Sequence, residues 1–208
     1  EICACLVGSE MCIRDSFSNY RADAPENEAE TALKQFRELA KLFQREAVAE
    51  AEIARWFAQI DAYGDAIRKA FGFAPQIQVI RFSSLTTLFV YTPNSIADWV
   101  VRRMGMAQPL TRPASAYGLT QVRIRDLKNL TDAYVIYIRP FAQEAKVMNS
   151  ILWCATPFAR KHHVAPAEPY WSHGGAPSIL TTAKRITEAL LTLAPSYAGR
   201  TEQEGTSK

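Results

Sequence analysis

The chain has 208 residues, 48% hydrophobic and 22% charged, which is enough to build a globular core in one large domain or two small ones. Its 24 basic and 21 acidic residues leave a formal charge of +3, too small a surplus to point to nucleic acid. No apolar run approaches about 18 residues, so no segment reads as a transmembrane helix, and no secretory signal peptide is visible at the start.

Residues 1–16 read as a non-native segment. The run Cys5-Leu-Val-Gly-Ser-Glu-Met-Cys-Ile-Arg-Asp-Ser16 resembles translated sequencing-adapter read-through, and the chain opens on Glu1 rather than Met. The native protein is then expected to start near Phe17, with its true N-terminus missing. The rival reading takes Cys3, Cys5 and Cys12 as a metal or disulfide cluster, but there is no adjacent His and no Cys-x-x-Cys to support it. Setting the segment aside leaves Cys154, whose Trp-Cys-Ala context predicts a buried thiol.

Residues 27–71 predict almost continuous helix. Ala32, Phe36, Leu39 and Phe43 form one apolar stripe; Ile53, Trp56, Ile60, Ile67 and Phe71 form a second that does not keep the phase of the first. The phase change predicts a break near residues 46–48. The aromatic stripes favour packing on a globular body over a free coiled coil.

After Gly72 the texture is α/β. Residues 76–82 alternate as a strand and residues 87–91 form a second. Pro93-Asn94-Ser95 opens a helix that Gly105 can close. Residues 111–120 read as a Pro-rich loop containing Tyr117-Gly118. A short helix with Leu127 and Leu130 precedes the clearest strand, residues 133–138. Residues 141–153 read as helix, Val164 begins a short strand, and a Pro-Ser start opens the C-terminal helix with Ile179, Ile186, Leu190 and Leu193 at helical spacing. Alternating strands and helices predict an α/β fold with a mainly parallel sheet covered by helices on both faces. The polar tail, residues 195–208, is expected to be disordered.

Several chemistries lack their motifs. There is no Gly-x-Gly-x-x-Gly, no phosphate-cradling Gly-rich loop and no Gly-x-Ser-x-Gly elbow. His162 and His163 are adjacent, which in a strand sends them to opposite faces. The acids of the α/β part read as caps or solvated faces, so no catalytic residue and no metal ligand is assigned. What accumulates instead is aromatic and hydroxyl side chains in loops near strand ends: Tyr117, then Trp171, Ser172 and His173, with Ser83 and Ser84 after the first strand. Loops at one edge of a parallel sheet converge on a crevice, which favours a binding surface. Arg81 could add a cation there. For Trp171 the alternative is an indole packed under its own helix.

The order of segments resembles the second half of a periplasmic siderophore-binding protein of the ferric-hydroxamate-binding type, the substrate-binding component of an ABC importer. The carrying pieces are Phe89-Val-Tyr-Thr-Pro-Asn-Ser95, Tyr117-Gly-Leu-Thr-Gln-Val-Arg-Ile-Arg-Asp-Leu127, Leu152-Trp-Cys-Ala-Thr-Pro-Phe158 and Trp171-Ser-His-Gly174, in that order. The resemblance implies two α/β lobes bridged by one long helix, with the ligand in the cleft between them. Residues 17–48 would then be the remnant of the N-terminal lobe, 49–72 the bridging helix and 73–194 the C-terminal lobe.

The resemblance also implies roles. Tyr117 stands where the family often has Trp facing the ferric siderophore, and Trp171 and His173 stand where it has cleft aromatics. His173 replaces a position that often carries Tyr, which could alter ligand choice or make binding pH-sensitive. The acid that many relatives use to dock the permease falls near Arg125, with Asp126 one residue later. The implied ligand is a ferric siderophore, with no cofactor and no enzyme activity. The implied partner is an ABC permease met at the membrane by a monomer that is periplasmic or lipid-anchored. Two other classes remain: a heme-, cobalamin- or metal-binding component of the same architecture, and an α/β enzyme related to metal-cluster folds, which would need cysteine ligands.

Overall fold

The computed structural model describes residues 27–171 and 174–195. The expectations of a non-native segment at 1–16 and of a disordered tail lie outside the described residues, except that Pro195, the tail's first residue, is described. The first helix, α1 (Glu28–Leu42), starts at Asn27, whose side chain accepts from the Ala29 and Glu30 amides. Its inner face buries Ala29, Ala32 and Leu33, and Phe36 tilts against Trp56 at 5.2 Å. The break falls at Phe43-Gln44-Arg45, where Gln44 has φ 54, slightly ahead of the expected position.

The second helix, α2 (Glu46–Phe71), therefore begins three residues before the predicted bridging helix and runs 26 residues, about 39 Å at 1.5 Å per residue. It buries Ala49, Ile53, Trp56, Ile60, Gly64, Ile67 and Phe71 along one stripe and closes on Gly72 in the left-handed region. Gly64 is there for space. A Cβ at that position would stand 2.4 Å from the Met104 carbonyl oxygen, so only glycine lets the two backbones approach so closely.

Five strands follow: β1 (Ile77–Phe82), β2 (Thr87–Tyr91), β3 (Leu119–Arg123), β4 (Tyr134–Ile138) and β5 (Val164–Ala167), in the spatial order β3-β2-β1-β4-β5. The β1–β4 and β4–β5 pairs are parallel, while β2 runs against both β1 and β3. Four of the five strands thus point the same way, and the expected mainly parallel sheet holds with one reversed member. β3 was hidden in the sequence because only Val122 of its five residues is fully buried. β4 is buried on both faces, which is why it reads as an uninterrupted apolar run.

One sheet face packs Ile77, Val79, Tyr91, Ile136, Ile138, Ala165 and Ala167 against α1, α2, α3 (Ile96–Arg103) and the C-terminal helix. The other packs Ile80, Phe82, Leu88, Val90, Val122, Val135 and Tyr137 against Val147, Trp153 and Phe158. The expected single helix over residues 141–153 is instead a chain of short ones: α4 (Glu144–Met148), α5 (Ile151–Cys154) and α6 (Pro157–Arg160). Ser150 caps the second, accepting from the Trp153 amide, and Pro157 opens the third. Within α5, Trp153 turns inward, so Cys154 is exposed rather than buried, and its thiol donates to the Met148 carbonyl at 3.3 Å. The last helix, α7 (Pro177–Leu191), lies against α2, α3 and β5. Buried Gln78 and Gln108 hold residues 105–110 beside β1: Gln108 Oε1 accepts from the Val79 amide and from Gln78 Nε2, both at 3.1 Å.

Candidate functional site

Leaving β5 at Ala167, the chain passes through Glu168, Pro169 and Tyr170 to Trp171 before α7 begins. Trp171 is 77% exposed, so it is not packed under its own helix. Its Cδ1 lies 3.3 Å from where a Cβ on Gly174 would stand, which keeps the indole close over the entry to α7. Ser172 and His173 lie outside the described residues.

Tyr170 is the neighbour that sequence reasoning missed. Its ring packs against the core beneath the sheet, yet its hydroxyl is buried and has no hydrogen-bond partner. Burial pushes the phenol well above its usual range; the Tyr91 phenol adds to this and the Arg81 charge opposes it. Arg81 shares its sheet face with Ile77 and Val79 by strand alternation, but it stands at the exposed end of β1. Its guanidinium makes no ion pair or hydrogen bond among the described residues. In register, Arg81 pairs with Phe89 and Phe89 with Gln121, so these three side chains form one row across β1, β2 and β3.

Ser84 proves to be a turn residue. Its hydroxyl accepts from the Thr86 and Thr87 amides at 3.2 and 3.1 Å and meets Thr87 Oγ1 at 2.7 Å, closing the β1–β2 hairpin. Ser83 Oγ accepts from Gln121 Nε2 at 3.1 Å, tying the same hairpin to β3.

Tyr117 is 64% exposed at the end of the loop that enters β3. That loop is pinned by the Pro-Asn-Ser turn: Asn94 Nδ2 donates to the Ser115 carbonyl at 2.8 Å, and the Thr92 amide donates to the Gly118 carbonyl at 2.9 Å. Gly118 has φ 62, a backbone conformation strained for other residues, and a Cβ there would crowd the Glu28 carboxylate, so glycine is favoured beside Tyr117. Two motifs that are distant in sequence thus form one supported loop.

The expectation that these loops share one sheet edge needs correction. Tyr117 precedes the N-terminal end of β3 and Trp171 follows the C-terminal end of β5, and these are opposite edge strands running the same way. What spans the strands between them is the Gln121–Phe89–Arg81 row, continued at the same level by Ile138 and Ala167.

Other candidate chemistry resolves differently. His162 sits in a turn with φ 58, while His163 stacks on Tyr134 at 4.2 Å with its Nδ1 buried and without a partner; burial lowers its pKa. Asp126 accepts from the Arg123 amide at 2.9 Å, capping the short 3-10 turn that carries Arg125. Among the described residues no group of three His, Cys, Asp or Glu side chains could hold a metal ion. No described helix is long and apolar enough to cross a membrane. A recess of about 510 Å³ is lined by Asn27, Glu30, Asp61, Trp99, Arg102 and Arg103, and one of about 340 Å³ by residues around Cys154 and His162. Neither includes a predicted site residue.

No protein-family profile matches the chain. Among solved structures it is similar to the siderophore-binding protein FhuD from Vibrio cholerae, solved with Fe3+–Desferal: 37% identity over 82% of this chain and 64% of that one, with a TM-score of 0.79. FhuD2 from Staphylococcus aureus with ferrioxamine B shares the fold at 19% identity, 77% and 64% coverage and a TM-score of 0.60. A FhuD-fold periplasmic component of a ferrichrome ABC transporter from Bacillus subtilis does so at 21% identity, 76% and 62% coverage and 0.61. The chain spans less than two thirds of the length of each. These neighbours are substrate-binding transport proteins rather than enzymes, and they bear out the resemblance read from the ordered motifs.

Proposed function

We propose that this chain, which has the FhuD-type fold, is the ligand-binding part of an extracytoplasmic protein that captures a ferric siderophore, hydroxamate-type by preference, and delivers it to an ABC permease. The observation that carries this reading is the 37% identity, extending over 82% of the chain, to a protein solved with a ferric hydroxamate chelate. In this reading residues 73–194 are the C-terminal lobe, α2 is the interlobe helix, and Tyr117, Trp171, Ser172 and His173 face the cleft. Arg81 joins them, and Ser84 serves only by holding the hairpin beneath.

The chemistry suits such a cargo. A ferric siderophore is a bulky chelate whose iron is already saturated by its own oxygens. The protein needs to offer stacking surface and a few hydrogen bonds, and supplies no metal ligand. Exposed Trp171 and Tyr117 are that kind of surface. Titrating tryptophan emission with ferric hydroxamates, ferric catecholates and heme tests the reading. Saturable quenching by the hydroxamates at the lowest concentration is expected. Quenching by heme alone, or by none of the three, overturns it.

A further inference from the structure

We infer that Arg139 is a positioning residue for ligand capture: it fixes the root of the loop that presents the Trp171 indole. This rests on the siderophore-binding reading and deepens it. Arg139 follows directly on β4, and Glu168 directly on β5. Ile138 pairs with Ala167, and the Arg139 amide donates to the Ala167 carbonyl at 3.1 Å. The parallel register therefore runs one step past both strands and sets Arg139 beside Glu168. Trp171 comes three residues later.

The guanidinium is held from the core side. Its Nε donates to Glu144 Oε2 at 3.0 Å and its Nη2 to Glu144 Oε1 at 2.6 Å, a fork on the first residue of α4. Glu144 Oε1 also accepts from the Tyr137 hydroxyl at 2.7 Å, and Tyr137 is a core residue tilted against Phe82. The remaining nitrogen, Nη1, faces Glu168 Oε1 at 3.9 Å. A run of contacts thus leads from buried Tyr137 through Glu144 and Arg139 to the loop.

The loop is gripped from both sides of the sheet. By strand alternation Glu168 shares a face with Pro166 and Tyr137, whereas Tyr170 packs into the core of the opposite face. The chain crosses between them at Pro169, and Trp171 is the next residue after Tyr170. With 77% of its surface in solvent, Trp171 has little packing of its own, so these two holds set its place. A platform that is not held must be ordered by the ligand on binding, which lowers affinity. The Arg139 and Glu168 side chains are 38% and 63% exposed, so screening limits their pair to an effect of a few-fold.

The test uses the full chain labelled with fluorotryptophan, its Trp171 resonance assigned by Trp171→Phe, and calorimetric titration with ferrioxamine B. Glu168→Gln removes the loop-side partner and leaves the Arg139–Glu144–Tyr137 contacts in place; Arg139→Gln removes the hold from the other side. In both variants the Trp171 fluorine line should shift or narrow while the lines of Trp56 and Trp99 stay. Ferrioxamine B should bind each about three- to fivefold more weakly, the scale of one exposed ion pair. In a Trp171→Ala background the same substitutions should change affinity by less than about 1.5-fold, because their effect passes through the indole. A Trp171 line unmoved in either variant, or losses that are equal with and without the indole, overturn the positioning role and leave siderophore capture standing. Failure of ferrioxamine B to bind the folded parent chain overturns the capture reading, and the fluorine line then still decides whether Arg139 holds Trp171.

Discussion

Trp171→Ala separates a ligand platform from a packing residue. A tryptophan buries at most about 250 Å². With 77% of this one in solvent, folding hides only about 60 Å², or about 1.5 kcal/mol at 25 cal/mol per Å². That is a ceiling on the stability loss, and for a chain of this size it corresponds to a fall of about 3–6 °C in Tm. A chelate covering about 100 Å² of the remaining indole surface would draw about 2.5 kcal/mol from it, a 50- to 100-fold loss of affinity in the variant. Calorimetric titration with a ferric hydroxamate and a thermal melt on the same samples read both quantities. A melt lowered by about 15 °C, or an affinity unchanged within about threefold, would refute the reasoning.

Other expectations follow from the packing. Trp153 is 3% exposed and meets Phe82 and Phe158 edge-on at 5.2 and 5.3 Å, so Trp153→Ala should cost about 3–5 kcal/mol in denaturant unfolding. Gly64→Ala should also destabilise, by about 1–2 kcal/mol. The gain in helix propensity of about 1 kcal/mol cannot offset a Cβ placed 2.4 Å from the Met104 carbonyl oxygen, and a Tm shift of the opposite sign would show the contact to be soft. His163 gives the pH dependence. Burial, then the Lys161 charge, depress its folded pKa below the unfolded value of about 6.5, so between those two values the unfolded chain binds more protons. Stability should therefore fall as pH drops through about 6.5 and level off below the folded pKa. His163→Phe, which can keep the stack on Tyr134, should remove that part of the slope in melts between about pH 5 and 7.

The strongly periodic parts of the fold were legible in the sequence. The α2 stripe, the all-buried β4 and the Pro-Ser start of α7 each follow from local spacing, and they stand within a few residues of where that spacing puts them. β3 was not legible, because an edge strand with one buried side chain in five leaves almost no alternation to read. Residues 141–153 misled for the opposite reason: apolar residues fall at helical spacing, but α4 ends at Met148 and Ser150 caps a fresh start at α5. At the site, the exposed aromatics Tyr117 and Trp171 could be picked out by residue type and loop context. Ser84 could not be told from a ligand contact, since a hydroxyl after a strand serves a hairpin or a ligand equally well. Tyr170 was overshadowed by Trp171 beside it, and only the structure shows its hydroxyl buried without a partner.

The two edge strands have one more consequence. β5 carries Pro166 in its four-residue run, which removes an amide from the ladder, and β3 holds Gln121 and Arg123 in solvent. A short strand interrupted by proline and a strand bearing an exposed charge are both poor templates for a neighbouring chain. Sheet-to-sheet association between copies is disfavoured at either end, so concentrated samples should resist fibrillar aggregation even though the apolar side chains Leu42, Phe43 and Ile151 stand in solvent.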